Sequence, residues 1–393
     1  MSRDEVTALI DLKESAVLPI PARPTRRRSI YRCLWQVLAC FLILVLPAAG
    51  QDAVSQIKAE ANRLQQSLKD KPVSIAWFPN ANSVIDGDLK SVKEAADAGR
   101  LYPSLLQLEG VAETLQGGRT AEEKKAETAK SGFPGFETEW KRVSLDVEAL
   151  GQKARGRNWA DAPAAIRALS ETAQAKAVPL LESGRGFATA QGPEEGLAYL
   201  GQAQGEAQFA EFCASLNLAR KGAPNALRSM LPELENLQDK TNAAFQPPRS
   251  IELQSTFITL NSALKLGEEL DAERLYAGAL FQYLVAVWQY GLLDAVTPDP
   301  ARQSELARAM VRVRQQLDAS AYDDSIAQIV LERAESDVRH ADGSAPSQDD
   351  WKSASVIVDQ VLPAYFAAKR PPAALPRASG KAIDLTLVRW PYT

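Results

Sequence analysis

The sequence is poor in the side chains that build metal centres and covalent cross-links. It has three cysteines and one histidine, His340, in 393 residues. Two of the cysteines, Cys33 and Cys40, lie in an N-terminal segment that we expect to be removed, so Cys213 has no intramolecular partner for a disulfide. One histidine cannot supply the paired Glu-x-x-His ligands of a di-iron bundle, and the cysteines are not paired as zinc ligands. We therefore predict no metal site and no cofactor.

The chain also has no excess of positive charge. Residues 1–50 hold seven Lys/Arg and four Asp/Glu, so their removal changes the net charge from −4 to −7. An acidic chain has no general attraction for phosphate backbones or anionic lipid surfaces. We therefore exclude nucleic acid as a partner, and we expect membrane contact only through the N-terminal segment if it stays uncleaved.

Recognisable catalytic motifs are absent as well. A histidine-dependent triad would have to use His340, and no Gly-x-Ser-x-Gly motif is present. Ser262-Ala-Leu-Lys265 matches the Ser-x-x-Lys pattern of penicillin-recognising enzymes, but the other motifs of that family occur in reverse order, so we interpret the match as chance. Cys213 lies in an apolar helical stretch, which is typical of a buried small side chain. We expect a non-enzymatic protein, although catalysis by carboxylates and tyrosines alone stays open.

What the sequence does contain is an export signal near its N-terminus. The arginine-rich segment 26–32 precedes an apolar run, Val37–Leu46, and the small residues Ala48–Gly50 follow it. A basic flank, a short apolar core and small residues before the cleavage site are typical of a secretory signal peptide. We predict that residues 1–50 are a signal peptide with an extended basic leader, cut near Gly50, and that the mature chain is periplasmic or extracellular.

Two alternatives to this interpretation stay open. Residues 34–49 could remain as an inner-membrane anchor, although this stretch of 16 residues is shorter than the roughly 20 apolar residues that a spanning helix needs. The run Arg27-Arg28-Ser-Ile-Tyr-Arg32 resembles a twin-arginine motif. The export route is therefore undecided between the general secretory and the twin-arginine pathways.

Beyond residue 50, apolar side chains recur at steps of three and four residues along most of the chain. Examples are the stripes Val54, Ile57, Ala61, Leu64, Leu68 and Leu253, Phe257, Leu260, Leu264. This period is that of an amphipathic helix, and such stripes pack against one another in bundles. We predict an all-α fold of roughly ten helices, arranged as two packed multi-helix bundles.

Loop chemistry divides the chain into these bundles. We place an N-terminal bundle at 51–182 and a C-terminal bundle at 197–370. The glycine-rich segment 183–196, SGRGFATAQGPEEG, is predicted to be the boundary loop between them, because glycine and proline clusters are typical of loops. A proline-rich spacer, 371–381, then leads to a tail at 382–393.

Two short segments depart from the helical pattern. Residues 72–79, PVSIAWFP, are an apolar run between prolines, and residues 382–390 alternate apolar and polar side chains. Since a lone strand leaves its backbone groups unpaired, we predict that the two segments pair as a small two-stranded β ribbon. The alternative is that the tail adds a strand to a protein partner.

A long uncharged stretch, Leu275–Leu293, offers the best candidate for a binding groove. Tyr276, Tyr283 and Tyr290 recur every seven residues and so share one side of a helix. We interpret the stretch as a core helix, with a membrane span as the alternative. The weak groove candidates are Tyr276, Tyr283, Trp288 and Tyr290, and the simpler interpretation is a core seam whose polar tips are all hydrogen-bonded.

These observations favour a function without catalysis. We predict an exported helical protein of the bacterial-type cell envelope that binds a partner or acts as a scaffold, through its helical surfaces or its C-terminal strand. The alternative is a small-ligand or cofactor carrier that uses a groove beside 275–293. The patterns do not specify the ligand, the partner or the oligomeric state.

Overall fold

The computed structural model describes residues 48–73, 80–245, 253–339 and 343–369, and these residues are mostly helical, which confirms the all-α prediction. In chain order the helices are α1 (Ala48–Asp70), α2 (Ala81–Asp97), α3 (Leu101–Ser131), α4 (Phe133–Arg155), α5 (Ala164–Gln191), α6 (Leu197–Ser215), α7 (Leu231–Ala244), α8 (Gln254–Ala272), α9 (Tyr276–Leu292), α10 (Pro300–Asp318), α11 (Ser325–Val338), α12 (Gln348–Val356), a π-helical segment (Ile357–Val361) and α13 (Leu362–Ala368). Within the described ranges there is no sheet, and a single bridge joins Ala223 to Tyr322.

Helix α6 packs against α3, α4 and α5 at very short range. A Cβ atom added at Gly201 would lie 2.3 Å from the carbonyl oxygen of Gln116, and one added at Gly205 would lie 2.7 Å from that of Ala112. Only glycine allows the backbones of α3 and α6 to approach this closely. The two glycines are therefore part of the packing between helices.

Helix α9 lies in the main hydrophobic core and packs against α5, α7, α8, α12 and α13. Its residues 277–282 are buried without interruption, so it is covered on nearly every side. The prediction of a core helix at 275–293 is confirmed. Within the described ranges no helix combines the length and the hydropathy that crossing a membrane requires.

The prediction that the whole glycine-rich segment 183–196 is a loop is wrong. Residues up to Gln191 continue α5, and the chain turns only at 192–196. Gly184 is a packing residue, because a Cβ there would lie 3.0 Å from the carbonyl oxygen of Gly196 and 3.1 Å from the Cβ of Tyr199. The segment also does not separate two cores, since each of the two hydrophobic clusters contains residues from before and after it. The two-bundle arrangement is not confirmed.

Several predictions concern residues outside the described ranges. They are the signal segment up to residue 47, most of the first proposed strand (74–79), His340, the spacer 371–381 and the tail 382–393. The β ribbon between 72–79 and 382–390 therefore stays a prediction.

Candidate ligand groove beside helix α9

A buried carboxylate fixes the start of α9. Glu171 of α5 accepts hydrogen bonds from the backbone N–H of Gly278 (2.8 Å) and from Nε of Arg167 (2.6 Å). Burial raises the pKa of Glu171, and Arg167 and the amide donors oppose this shift. A helix N-terminus favours a negative charge, so this contact holds α9 in register with α5.

A groove of about 450 Å³ runs along one side of α9. Its walls come from α3, α5, α8, α9, α11 and the π-helical segment. The apolar lining includes Leu266, Phe281, Leu284, Val285, Trp288 and Ile329. The volume lies within the range of about 300–1,000 Å³ that is typical of small-molecule sites, which are mostly apolar with a few polar groups.

The groove and the predicted tyrosines lie on opposite sides of α9. The lining residues Phe281, Leu284, Val285 and Trp288 follow steps of three, one and three residues, which places them in one stripe of a helix. Tyr283 comes two residues after Phe281, and since each residue advances about 100° around a helix, it faces away from that stripe. Tyr276 and Tyr290 share the face of Tyr283, and none of the three lines the groove.

Two charged residues line the groove deep in the fold. Lys176 of α5 donates a short hydrogen bond to Oε1 of Glu109 of α3, and its Nζ lies 3.6 Å from Oε1 of Glu206 of α6. Glu109 is buried, whereas 37% of the Lys176 side chain is accessible. Burial works against the charge of Lys176, but the carboxylates of Glu109 and Glu206 outweigh it and raise the pKa of the ammonium group. The groove therefore presents a fixed positive charge.

The carboxyl groups behind this lysine outnumber it. Glu109, Glu113 and Glu206 surround the single ammonium group of Lys176. Burial, reinforced by the charge of Glu109, raises the pKa of Glu206 well above its ordinary value, and burial also raises the pKa of Glu113. Oε2 of Glu206 accepts no hydrogen bond from a donor among the described residues. One lysine does not satisfy the buried carboxyl groups of Glu109 and Glu206 and the half-buried one of Glu113, so this cluster favours holding an extra proton.

Another part of the groove is bounded by an aromatic ring and a cation. The guanidinium of Arg333 lies 5.5 Å from the ring centroid of Trp288, and its Nε lies 2.8 Å from Oδ1 of Asp337. Trp288 Nε1 is buried and has no hydrogen-bond partner among the described residues. A buried N–H group without an acceptor is rare in native proteins and calls for an explanation.

A second cavity of similar size, about 460 Å³, lies between α4, α5 and α8. Its walls carry many exposed charged side chains, among them Glu148, Arg155, Glu182 and Lys265. Such side chains keep their hydration in an open cavity and make few fixed contacts. The groove beside α9 is the better candidate, because its polar groups are held in place and its walls are apolar.

The sequence predicts four residues of α9 for this site, and the structure places them on different faces of the helix. Trp288 lines the groove, whereas Tyr276, Tyr283 and Tyr290 do not. The stripe from Phe281 to Trp288 was available in the sequence, but α9 is apolar on all sides and no face stood out. Sequence reasoning missed Glu109, Lys176 and Glu206. Their signal was a charge within an apolar helical stripe, as with Glu109, which follows Leu105 and Leu108.

Cys213 is fully buried with a free thiol, and burial raises its pKa well above the ordinary value, which confirms the interpretation of a structural cysteine. In the part of the chain that the structure describes, no group of three or more His, Cys, Asp or Glu side chains is arranged to hold a metal ion. In the glutamate cluster, the ammonium group of Lys176 takes the place next to the carboxylates. Comparison with family models, curated proteins and solved structures gave no match to this chain.

Proposed function

We propose that this chain is a carrier of a small, largely apolar molecule, which binds in the groove beside α9. The observation that carries the proposal is the combination of an apolar groove with polar groups fixed in its walls. Apolar walls supply affinity through burial, and a few fixed polar groups select and orient the ligand. The paired charges of Glu109 and Lys176 in the wall of the groove are such fixed polar groups.

Trp288 adds a second argument for a bound molecule. Its indole N–H lies buried at the groove without an acceptor from the described residues, and an unpaired buried donor costs about 1–3 kcal/mol. A ligand with an acceptor atom near this position, after a small side-chain adjustment, would recover that free energy. The ammonium group of Lys176 offers a further donor on the same surface.

We further propose that the carrier acts outside the cytoplasm. The support is the sequence pattern of residues 1–50, and the N-terminal mass of the purified protein tests it. A mass that begins near residue 51 supports export with cleavage. A mass that retains residues 34–49, in a protein found in the inner membrane, supports the anchored alternative.

Titration with the uncharged fluorescent probe N-phenyl-1-naphthylamine tests the groove. Thr259 lies exposed on α8 at the edge of the groove, so Thr259→Trp fills the groove without disturbing the core. We expect this variant to bind the probe at least tenfold more weakly than the parent protein. The matched control is Ser255→Trp, one turn earlier on α8, exposed and outside the groove. We expect it to bind like the parent.

Tyr283→Phe separates the two faces of α9. Because Tyr283 lies on the face opposite the groove, we expect probe binding to be unchanged in this variant. If the parent protein does not bind the probe, or if Thr259→Trp and Ser255→Trp bind it equally well, the groove is not the binding site and the proposal is wrong.

The partner-binding scaffold remains the second candidate function. The C-terminal tail tests it, because the tail pairs either with this chain or with a protein partner. We keep the proposal that 382–390 pairs with 72–79 as a β ribbon, and its rival is that the tail joins a partner's sheet. Deletion of 382–393 should lower the melting temperature if the ribbon forms. Unchanged melting together with the loss of a co-purifying protein would favour the scaffold.

A further inference from the structure

Another cavity, of about 870 Å³, opens next to the groove, between α2, α3 and α11, and we call it the basic cavity. It is lined by three arginines, Arg100, Arg333 and Arg339, and by one acidic residue, the exposed Glu94. The chain as a whole carries a net charge of −4, so a cavity with three arginines and one glutamate is a local exception to its acidic character. Clustered guanidinium groups in a concave surface attract anions.

The basic cavity and the apolar groove share part of their walls. Leu106 of α3 and Arg333 of α11 line both of them. A single molecule can therefore place an apolar portion against Leu284 and Trp288 and extend a second portion past Arg333 into the basic cavity. The two cavities together have the form of one amphipathic site.

Arg333 is held at the junction in a fixed position. Its Nε lies 2.8 Å from Oδ1 of Asp337, which in turn accepts a hydrogen bond of 2.6 Å from Ser353 through Oδ2. The Arg333 guanidinium also lies over the ring of Trp288. About half of its side chain (53%) is accessible, so the guanidinium is open to a ligand at a position that the contact with Asp337 fixes.

The other two arginines have no counter-charge bound to them. Arg100 and Arg339 form no ion pair with any described residue, whereas Arg333 is paired with Asp337. The hydroxyl of Ser336, which lines the same cavity, is buried and has no hydrogen-bond partner among the described residues. Unpaired donors from α11 and from the start of α3 therefore converge on one cavity, as expected for an anion site.

We propose that the natural ligand of the groove is a single-chain amphipathic anion, with its apolar chain in the groove beside α9 and its carboxylate or phosphate head among Arg100, Arg333 and Arg339. This inference rests on the proposed carrier function and specifies the class of ligand. The head group is recognised by charge-assisted hydrogen bonds, whereas the chain is recognised by burial against α8, α9 and α11. The same head chemistry occurs on free phosphate and on membrane surfaces, and the experiment has to separate these sources.

The test compares dodecyl phosphate with dodecanol by isothermal titration calorimetry, below the concentration at which either self-associates. The protein is expressed from the full sequence and purified as the cell processes it. We expect dodecyl phosphate to bind at least tenfold more tightly than dodecanol. We expect the double variant Arg100→Gln/Arg339→Gln to lose about tenfold in affinity for dodecyl phosphate and to keep the affinity of the parent for dodecanol.

The control variant is Arg308→Gln/Arg312→Gln, which removes the same charge from the exposed surface of α10, outside both cavities. It should bind dodecyl phosphate like the parent. Equal binding of dodecanol and dodecyl phosphate, unaffected by Arg100→Gln/Arg339→Gln, overturns this inference and leaves the carrier proposal intact. If neither these probes nor the uncharged naphthylamine binds, the carrier proposal itself fails.

Two further arms identify the source of the anion. Inorganic phosphate that binds as tightly as dodecyl phosphate would show that the apolar groove does not take part, and it would overturn the proposal. Binding to phosphatidylglycerol vesicles without binding of monomeric dodecyl phosphate would also overturn it, in favour of a membrane surface. Weak or absent binding in both arms, with tight binding of dodecyl phosphate, supports the single-chain ligand.

Discussion

Asp324 and Glu206 are both carboxyl groups buried between helices, but their surroundings differ. Asp324 accepts hydrogen bonds from Tyr365 (2.7 Å), Lys369 (2.6 Å) and Ser320 (2.6 Å), so both of its oxygens have partners. Glu206 shares one lysine with Glu109, and no described residue donates a hydrogen bond to its Oε2. The carboxylate of Asp324 therefore has hydrogen-bond donors for both oxygens, whereas the carboxyl groups around Glu206 have too few donors.

The pKa values shift in opposite directions for this reason. Burial alone would raise the pKa of Asp324, but the hydrogen bonds from Lys369, Ser320 and Tyr365 outweigh it and lower the pKa. In the glutamate cluster, burial and the charge of Glu109 together raise the pKa of Glu206. The Asp324 cluster joins α11, α13 and the chain before α7 as a structural tie. The glutamate cluster lies beside the groove and holds Glu109 and Glu206 against a single lysine.

The largest effect that we expect comes from breaking the saturated cluster with Asp324→Ala. The variant leaves Tyr365 and Lys369 without their common acceptor, and breaking a buried pair costs about 3 kcal/mol or more. We expect a loss of about 3 kcal/mol in the free energy of unfolding, measured by urea denaturation at pH 7. Asp324→Asn, which keeps an acceptor oxygen, should lose less. Equal losses in the two variants would show that the charge, and not the hydrogen-bond acceptor, supports the fold.

The second largest effect is expected from Lys176→Met, which removes the one cation of the glutamate cluster. The methionine keeps an apolar stem, but Glu109 and Glu206 lose their counter-charge. We expect a loss of about 2 kcal/mol in the free energy of unfolding at pH 8 and a smaller loss at pH 5, because the raised pKa of Glu206 leaves this group less charged at the lower pH. Lys153→Met, at an exposed lysine of α4, is the control. If the loss in the free energy of unfolding of Lys176→Met were the same at pH 5 and pH 8, the idea that Glu109 and Glu206 depend on Lys176 as their donor would be contradicted.

The helices could be predicted from the sequence because burial of one face leaves a period in the chain. The stripe that begins at Val54 lies along α1, with Ile57, Ala61 and Leu64 buried. The prediction of a loop over all of 183–196 fails for a physical reason. Gly184 permits close packing inside a helix, and a single sequence does not distinguish this role from the flexibility of a loop.

The candidate site was less predictable, because it depends on contacts between distant helices. Lys176 and Glu206 are 30 positions apart in the sequence, and no local pattern relates them. The face of α9 that lines the groove was hidden for another reason. A helix that is apolar on all sides has no amphipathic signal, so the repeating tyrosines drew attention to the opposite face.

Glu206→Gln tests whether the glutamate cluster has too few hydrogen-bond donors. Unlike the two variants above, we expect it to raise the free energy of unfolding. In the folded protein burial and the charge of Glu109 raise the pKa of Glu206, whereas in the unfolded chain a glutamate loses its proton above about pH 4.3. Folding therefore binds a proton, and the stability of the parent declines as the pH rises above that value. Glutamine has no proton to lose, so we expect a gain on the order of 1 kcal/mol at pH 8 and little difference near pH 4.

Urea denaturation of both proteins at pH 4, 6 and 8 measures this difference. The pH dependence of distant groups is common to the two proteins, so the difference reports on Glu206 and the groups coupled to it. Asp324 contributes with the opposite sign, because its stabilisation is lost as the pH falls below about 4. A glutamine variant that is less stable than the parent at pH 8 would show that Glu206 is charged in the folded protein.

The smallest effect should come from an ion pair that is neither buried nor shared. Lys153 of α4 and Glu211 of α6 lie 3.1 Å apart, with 65% and 38% of their side chains accessible. Because water screens such a pair, we expect Glu211→Ala to change the free energy of unfolding by less than about 0.5 kcal/mol at pH 5 and at pH 8. This pair joins α4 to α6, the helix that also carries Glu206. If Glu211→Ala lowered the free energy of unfolding as much as Lys176→Met does, the contact between opposite charges, and not their burial, would determine these losses. The difference between the Asp324 and glutamate clusters would then not be explained by their surroundings.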